Sequence, residues 1–310
     1  MDSRLSETLY VDFCICDFYT CNCVPVTFIT GILCQMPLQA RLQTCQLCTV
    51  INYHHMKLKG KVAVVTGGNS GIGFGIAVAL RNEGAVGAIT GRNQATLDSS
   101  VKELGTGFIG IKGDVTKLDE LEQVFKRTFD TFGKIDTLVV NAGGIVDGVP
   151  FASISEVTEE NYDLYMDLNL KSTYFTVQKA LPYLNDGASV ILIGSSAAHR
   201  AAPGMTIYGA AKAAVVFLAK GLSLDLLARK IRVNTLSPGS IDTPVFGKIV
   251  PEDEVQQVKQ LWTDLTPAGR QGLPADIGKA AAFLASDDSS FMLGTEILSD
   301  GGLTNISLMK

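Results

Sequence analysis

Past Met56 the chain has no cysteine: all seven, Cys14, Cys16, Cys21, Cys23, Cys34, Cys45 and Cys48, precede it. That rules out disulfides and thiolate metal sites within 56–310 and, with no convincing targeting signal, sets the expectation of a cytoplasmic location. An excess of one charge is lacking too. The net charge is −5, and four acids against two bases in the first 55 residues leave −3 for the remainder. Such a balance argues against a general nucleic-acid or anionic-membrane surface. The longest apolar run of the leader, VPVTFITGILC at 24–34, is too short to span a bilayer and follows Asp12 and Asp17 instead of a basic stretch. After Met56 no tandem repeat, low-complexity tract or long linker breaks the sequence.

The cysteine pairs of the leader are poorly spaced for zinc. Only Cys45 and Cys48, near His54 and His55, have the usual two intervening residues. No metal is expected. Residues 1–55 are read as a disordered or non-native leader, with translation starting at Met56, and 56–310 as one domain.

What the 56–310 segment does contain is an alternation of short apolar runs with longer segments of helical period, the pattern of βα units and a parallel sheet. Seven strands are expected at 62–66, 86–90, 107–112, 135–141, 188–194, 231–237 and 295–299. Their near-continuous Val/Ile/Leu content asks for helices on both faces of the sheet. The expected class is therefore α/β, a single doubly wound, Rossmann-type domain.

TGGNSGIG (66–73) follows the first strand and opens an apolar helix. Glycines let the chain turn and let a phosphate approach the backbone, while a helix N-terminus offers unpaired N–H groups. Gly67, Asn69, Ser70, Gly71, Ile72 and Gly73 are read as a pyrophosphate cradle, against the plainer reading of a strand-to-helix turn. At the end of the second strand, AITGRN carries Arg92 and Asn93 but no carboxylate. An acid there would meet a ribose hydroxyl, whereas an arginine can pair with a 2′-phosphate, so NADP(H) is favoured and NAD(H) remains possible. The alternative for Arg92 is a solvated loop charge.

Tyr208 and Lys212 in YGAAK are four residues apart and share a helical face. A nearby ammonium favours phenolate and should lower the tyrosine pKa toward the range of a general acid/base. The helix around them is small and apolar, built for burial, so a tyrosine and a lysine there need a reason. Ser195 stands at the end of the fifth strand, where open α/β sheets bind ligands.

Taken together, TGGNSGIG, Asn141–Gly143 (NAG), Asn169 in MDLNLKS, Ser195, YGAAK and SPGSIDT resemble the short-chain dehydrogenase/reductase family from Lys59 to Leu303. The resemblance implies an alcohol dehydrogenase/carbonyl reductase that works by hydride transfer with no metal. It implies Tyr208 as proton donor or base, Ser195 as a hydrogen-bond partner of the substrate oxygen, and Lys212 on the nicotinamide ribose. Asn169 would order a relay water. Asp114 and Val115 would lie by the adenine, and Asn141, Ala142 and Gly143 beside the cofactor. Pro238, Gly239, Ile241 and Thr243 would hold the carboxamide. Asp114 has a simpler reading as a cap near Thr116.

A homotetramer through the helices carrying Asn169 and Tyr208–Lys212 is also implied. The substrate is a small carbonyl or alcohol, and a 3-oxoacyl thioester on acyl-carrier protein is an alternative. A non-catalytic NAD(P)-sensing protein is the alternative of another class, disfavoured by the intact Asn169, Ser195, Tyr208 and Lys212 set. Substrate selection is placed in a mobile segment from Thr243 to about Thr266, with Val245, Phe246, Val258 and Trp262 either lining a pocket or packing a small helix. His199 and Arg200 are read as surface-loop residues that could instead greet a polar substrate.

Overall fold

The computed structural model describes residues 56–307 apart from Ile249. The expected leader and its cysteines lie outside the described residues. Seven strands form one sheet: β1 (Val62–Thr66), β2 (Val86–Gly91), β3 (Phe108–Lys112), β4 (Ile135–Val140), β5 (Leu184–Ile193), β6 (Arg232–Pro238) and β7 (Glu296–Ser299). Every pairing is parallel, in the order β3-β2-β1-β4-β5-β6-β7. This is the expected doubly wound α/β sheet. The chain leaves β1 toward β2 on one side and later returns to place β4 on the other, which makes the β1/β4 boundary the switch point where such sheets bind ligands.

Between the strands run α1 (Gly71–Asn82), α2 (Gln94–Leu104), α3 (Leu118–Phe132), α4 (Glu159–Met166), α5 (Ser172–Ala180), α6 (Thr206–Asp225), α7 (Val255–Leu265) and α8 (Pro274–Ala285). Two separate apolar clusters explain why the strands read as unbroken hydrophobic runs. On one face Val64, Leu138, Val190 and Val233 pack with Val124, Phe125, Val177, Val215 and Ala219 of the helices. On the other, Val65, Val139, Ile191 and Leu236 pack with Ile76, Leu80, Ile277 and Ala281. Each fully buried side chain of this kind is worth about 1.5–3 kcal/mol.

The expected strand boundaries shift by at most one residue except at β5, which begins at Leu184, four residues early. Its polar entry, Asn185–Gly187, is bulged: Ile135 pairs with Leu184, and the next pair is Thr137 with Ser189. An exposed bulge carries no apolar alternation, so hydropathy could not find it. The segment after β6 carries short helical turns. Pro244–Lys248 and Glu252–Glu254 are 3₁₀ turns leading into α7. Phe246 is buried, while Val245, Val258 and Trp262 are half-buried.

Candidate active site

The predicted loop residues fall at the C-terminal edge of the sheet: 67–73 after β1, 92–93 after β2, 114–115 after β3, 141–143 after β4, 195 after β5 and 238–243 from the last residue of β6 onward, while Asn169, Tyr208 and Lys212 lie on helical elements. Thr66, the last residue of β1, ties two of these loops together. Its hydroxyl accepts from the backbone N–H of Asn141 and of Ala142, each at 3.0 Å, and the Asn141 Nδ2 donates to the Thr66 and Gly67 carbonyls at 2.9 and 3.1 Å. Asn141 is thus a clamp across the switch point. Nothing in the local sequence marked Thr66 for this, because a strand-ending threonine is common.

Gly73 shows why the cradle is built of glycine. A Cβ there would lie 2.2 Å from the Gly67 carbonyl oxygen and 2.4 Å from Asn141 Nδ2, so no side chain fits. Gly67 has φ +62°, the left-handed region that favours glycine. The N-terminus of α1 has no side-chain cap from Ser70 and no acid in its first turn. Its N–H groups and dipole are left for an anion, and the residues present fit a dinucleotide pyrophosphate. Thr243 closes the other side: a Cβ on Gly71 would come within 3.3 Å of its methyl group. Ile72, Val115 and Ile241 bury their side chains wholly or partly in the cores, leaving their backbones for a ligand.

Past the ends of β1 and β2, Asn69 Nδ2 donates to Thr96 Oγ1 at 2.7 Å, and Asn93 caps α2 by accepting from Thr96 N–H at 3.1 Å. Asp114 closes a local turn ahead of α3 and does not cap it: its Oδ1 accepts from the Thr116 N–H at 2.9 Å and hydroxyl at 2.8 Å, while α3 starts after Lys117 with no side-chain cap. Arg92 is not a free loop charge. Its Nη2 lies 2.7 Å from Oδ2 of Asp147, on the loop after β4.

The chemical end is assembled by α6. Gly209 in its first turn packs against the Ala197 carbonyl, 2.8 Å from where a Cβ would stand. That contact seats Tyr208 beside the 3₁₀ turn Ser196–Ala198, which Ser195 caps by accepting from the Ala197 N–H at 3.1 Å. One helical turn on, Lys212 is buried, its Nζ 2.9 Å from the Ile193 carbonyl and 5.8 Å from the centre of the Tyr208 ring. A buried ammonium with a single carbonyl acceptor has donors left for hydroxyl groups.

Burial drives the Lys212 pKa down to about 8. It also pushes the Tyr208 phenol up, against the pull of the Ser195 hydroxyl. The expected lowering of the tyrosine pKa by the lysine is therefore corrected: in the protein alone, desolvation outweighs the distant ammonium.

Asn169 is fully buried in a π-helical turn, Asp167–Lys171, between α4 and α5. Such a turn re-aims side chains within a helix and is frequent at functional sites. Asn169 Oδ1 accepts from the Gly144 N–H at 2.7 Å, and Nδ2 donates to the Gly144 and Tyr165 carbonyls at 3.0 Å. A Cβ on Gly143 would sit 3.2 Å from Asn169 Oδ1 and 3.4 Å from Lys212 Nζ, so these three residues meet.

Other residues at the site had no motif to announce them. Phe151 stacks on Tyr165 at 5.9 Å between ring centres and tilts against Tyr208 at 5.8 Å. With Val157 and Ile207 these rings line a small apolar cleft beside Tyr208. Glu296 of β7 holds both His199 Nε2 at 2.9 Å and the Ser237 hydroxyl at 2.5 Å. Arg200 donates to the Leu303 carbonyl at 2.9 Å, so both loop residues are spent on anchoring.

The family model described as enoyl-(acyl carrier protein) reductase matches residues 67–304. Oxidoreductase asL5 of Sarocladium schorii is 40% identical over 252 residues, covering 81% of this chain and 98% of that protein. A hydroxynaphthalene reductase-like protein, Arp2, of Metarhizium brunneum is 34% identical over 259 residues, covering 79% and 95%. Among solved structures, a double mutant of a Serratia marcescens short-chain dehydrogenase/reductase superposes with TM-score 0.72 at 32% identity, covering 80% of this chain and 99% of that one. A dehydrogenase/reductase from Sinorhizobium meliloti gives 0.72 at 34% identity, covering 80% and 97%. Sheet order, site placement and similarity along nearly the whole of each relative agree: the chain belongs to the short-chain dehydrogenase/reductase family of nicotinamide-dependent oxidoreductases.

Proposed function

We propose that this protein is an NADP(H)-preferring reductase that interconverts a carbonyl and a secondary alcohol, with Tyr208 moving the proton. The observation that carries this reading is the convergence of Ser195, Tyr208, Lys212 and Asn169 on the ends of β4 and β5. When bound, the nicotinamide cofactor supplies or accepts the hydride. Tyr208 gives its proton to the carbonyl oxygen in reduction and takes it from the alcohol in oxidation. The Ser195 hydroxyl donates to the same oxygen and stabilises its developing negative charge. Lys212 directs its remaining N–H groups to the nicotinamide ribose and, while charged, eases proton loss from Tyr208. Asn169, with both amide protons committed to backbone carbonyls, fixes Gly144 and the surroundings of Lys212, and a relay water would be held through its oxygens.

The preference for NADP(H) rests on Arg92 and on the absence of a carboxylate in AITGRN. Two substrate classes have support. The Phe151, Tyr165 and Ile207 surface and the hydroxynaphthalene reductase-like relatives favour a cyclic, apolar ketone. The description of the matching family model favours an acyl thioester instead. NADPH consumption against a panel of cyclic ketones, a 3-oxoacyl thioester and a 2-enoyl thioester decides between them. A higher kcat/KM for the ketones is expected. No consumption with any carbonyl would overturn the reading.

The reading includes assembly as a homotetramer. Exposed Phe217 and Leu224 on α6, with Leu164 on α4 and Tyr174 on α5, are apolar surface on the three helices that flank the site.

A further inference from the structure

We infer that Asp147 is a cofactor-selectivity residue: its carboxylate occupies Arg92 and is exchanged for the 2′-phosphate when NADP(H) binds. The inference rests on the NADP(H) reading above and adds a competitor to it. Arg92 directly follows β2, and Asp147 lies on the loop that leaves β4. In the sheet these two strands flank β1 on opposite sides. The 2.7 Å ion pair therefore reaches across the end of β1, from which the glycine cradle departs. An arginine so held is not idle in the cofactor-free protein. Its fork is already turned toward an anion, and that anion is an internal one.

The exchange has a direction set by charge. A phosphate monoester carries about −1.5 to −2 charges at neutral pH and three acceptor oxygens, against one charge on Asp147. Both partners are about half exposed or more, 62% and 49%, so water screens the existing pair and it is weak. The phosphate wins, and Asp147 is then a like charge beside it. NAD(H) presents a ribose hydroxyl at that point and has no charge to trade. Asp147 thus lowers affinity for NADP(H) and leaves NAD(H) nearly untouched. The same loop carries Phe151, which packs on Tyr208, so the pair also restrains the loop that borders the proton donor.

The test is equilibrium binding of NADPH and of NADH to the full-length protein, read by nucleotide fluorescence at fixed low salt, for wild type, Asp147→Asn, Arg92→Ala and the double variant. Asp147→Asn is expected to tighten NADPH by about two- to fivefold, the range of an exposed ion pair, and to leave NADH unchanged. In the Arg92→Ala background the Asp147→Asn effect should shrink to the direct like-charge repulsion, because the competition for the guanidinium is gone. Equal shifts for both nucleotides, no shift in NADPH, or an undiminished effect without Arg92 would each overturn the proposal. A wild-type protein that binds NADH more tightly than NADPH would instead overturn the cofactor reading, whatever Asp147→Asn does to the ratio.

Discussion

Lys212 is the residue on which burial and function pull hardest against each other. Its ammonium is desolvated, with the Ile193 carbonyl as acceptor and a pKa drawn down from 10.5 to about 8. Because the folded pKa lies below the unfolded one, the unfolded chain holds more protons between pH 8 and 10.5, so this group makes stability rise with pH across that window. Below pH 8 the full penalty remains, on the order of 3 kcal/mol. Lys212→Met is therefore expected to gain thermal stability over wild type at pH 7 and to lose that advantage progressively toward pH 10. The Ile193 hydrogen bond lost in the variant offsets part of the gain at every pH. The slope of the difference in Tm with pH is the quantity to measure, and a flat difference would show that Lys212 is not desolvated.

At this scale the sequence was legible where spacing along one element decides geometry, as for Tyr208 and Lys212 on α6. It was silent on Asp147, Phe151 and Glu296, whose meaning depends on which distant loop or strand faces them. It also misjudged the tyrosine pKa, since a four-residue spacing says nothing about a 5.8 Å gap or about desolvation.

Elements set the precision of the site. The β1–α1 connection was readable from its glycines as a tight turn opening a helix, but only packing explains Gly73. Gly73→Ala places a methyl against the Gly67 carbonyl and the Asn141 amide, both of which serve the clamp between β1 and β4. The turn must shift, at a cost of about 1–3 kcal/mol. NADPH affinity is expected to fall about tenfold or more, with a lower Tm, whereas Ser70→Ala, which removes no cap, should leave the Tm unchanged. Calorimetry and nucleotide titration on the two variants check this together. The parallel strands were legible because burial on both faces writes a continuous apolar run. The bulged entry of β5 and the π turn around Asn169 were not, because a polar bulge and one extra residue per helical turn leave no hydropathic trace.

For the whole molecule, the sheet order brings six loops to one edge, and each of the six predicted clusters sits there. What the order does not decide is how copies associate. Phe217, 70% exposed midway along α6, is a large apolar group with water for a neighbour in the isolated chain. If α6 forms the tetramer contact, Phe217→Glu should yield a smaller, folded species by size-exclusion light scattering, and an unchanged mass would place the contact elsewhere or remove it. The central claim is that one phenol moves the proton for hydride transfer at this edge. Tyr208→Phe keeps the ring that packs on Phe151 and removes only the hydroxyl. With NADPH and a cyclic ketone turned over by wild type, kcat should drop by about 10²–10⁴ while NADPH binding persists. A Tyr208→Phe protein with wild-type kcat would contradict the account.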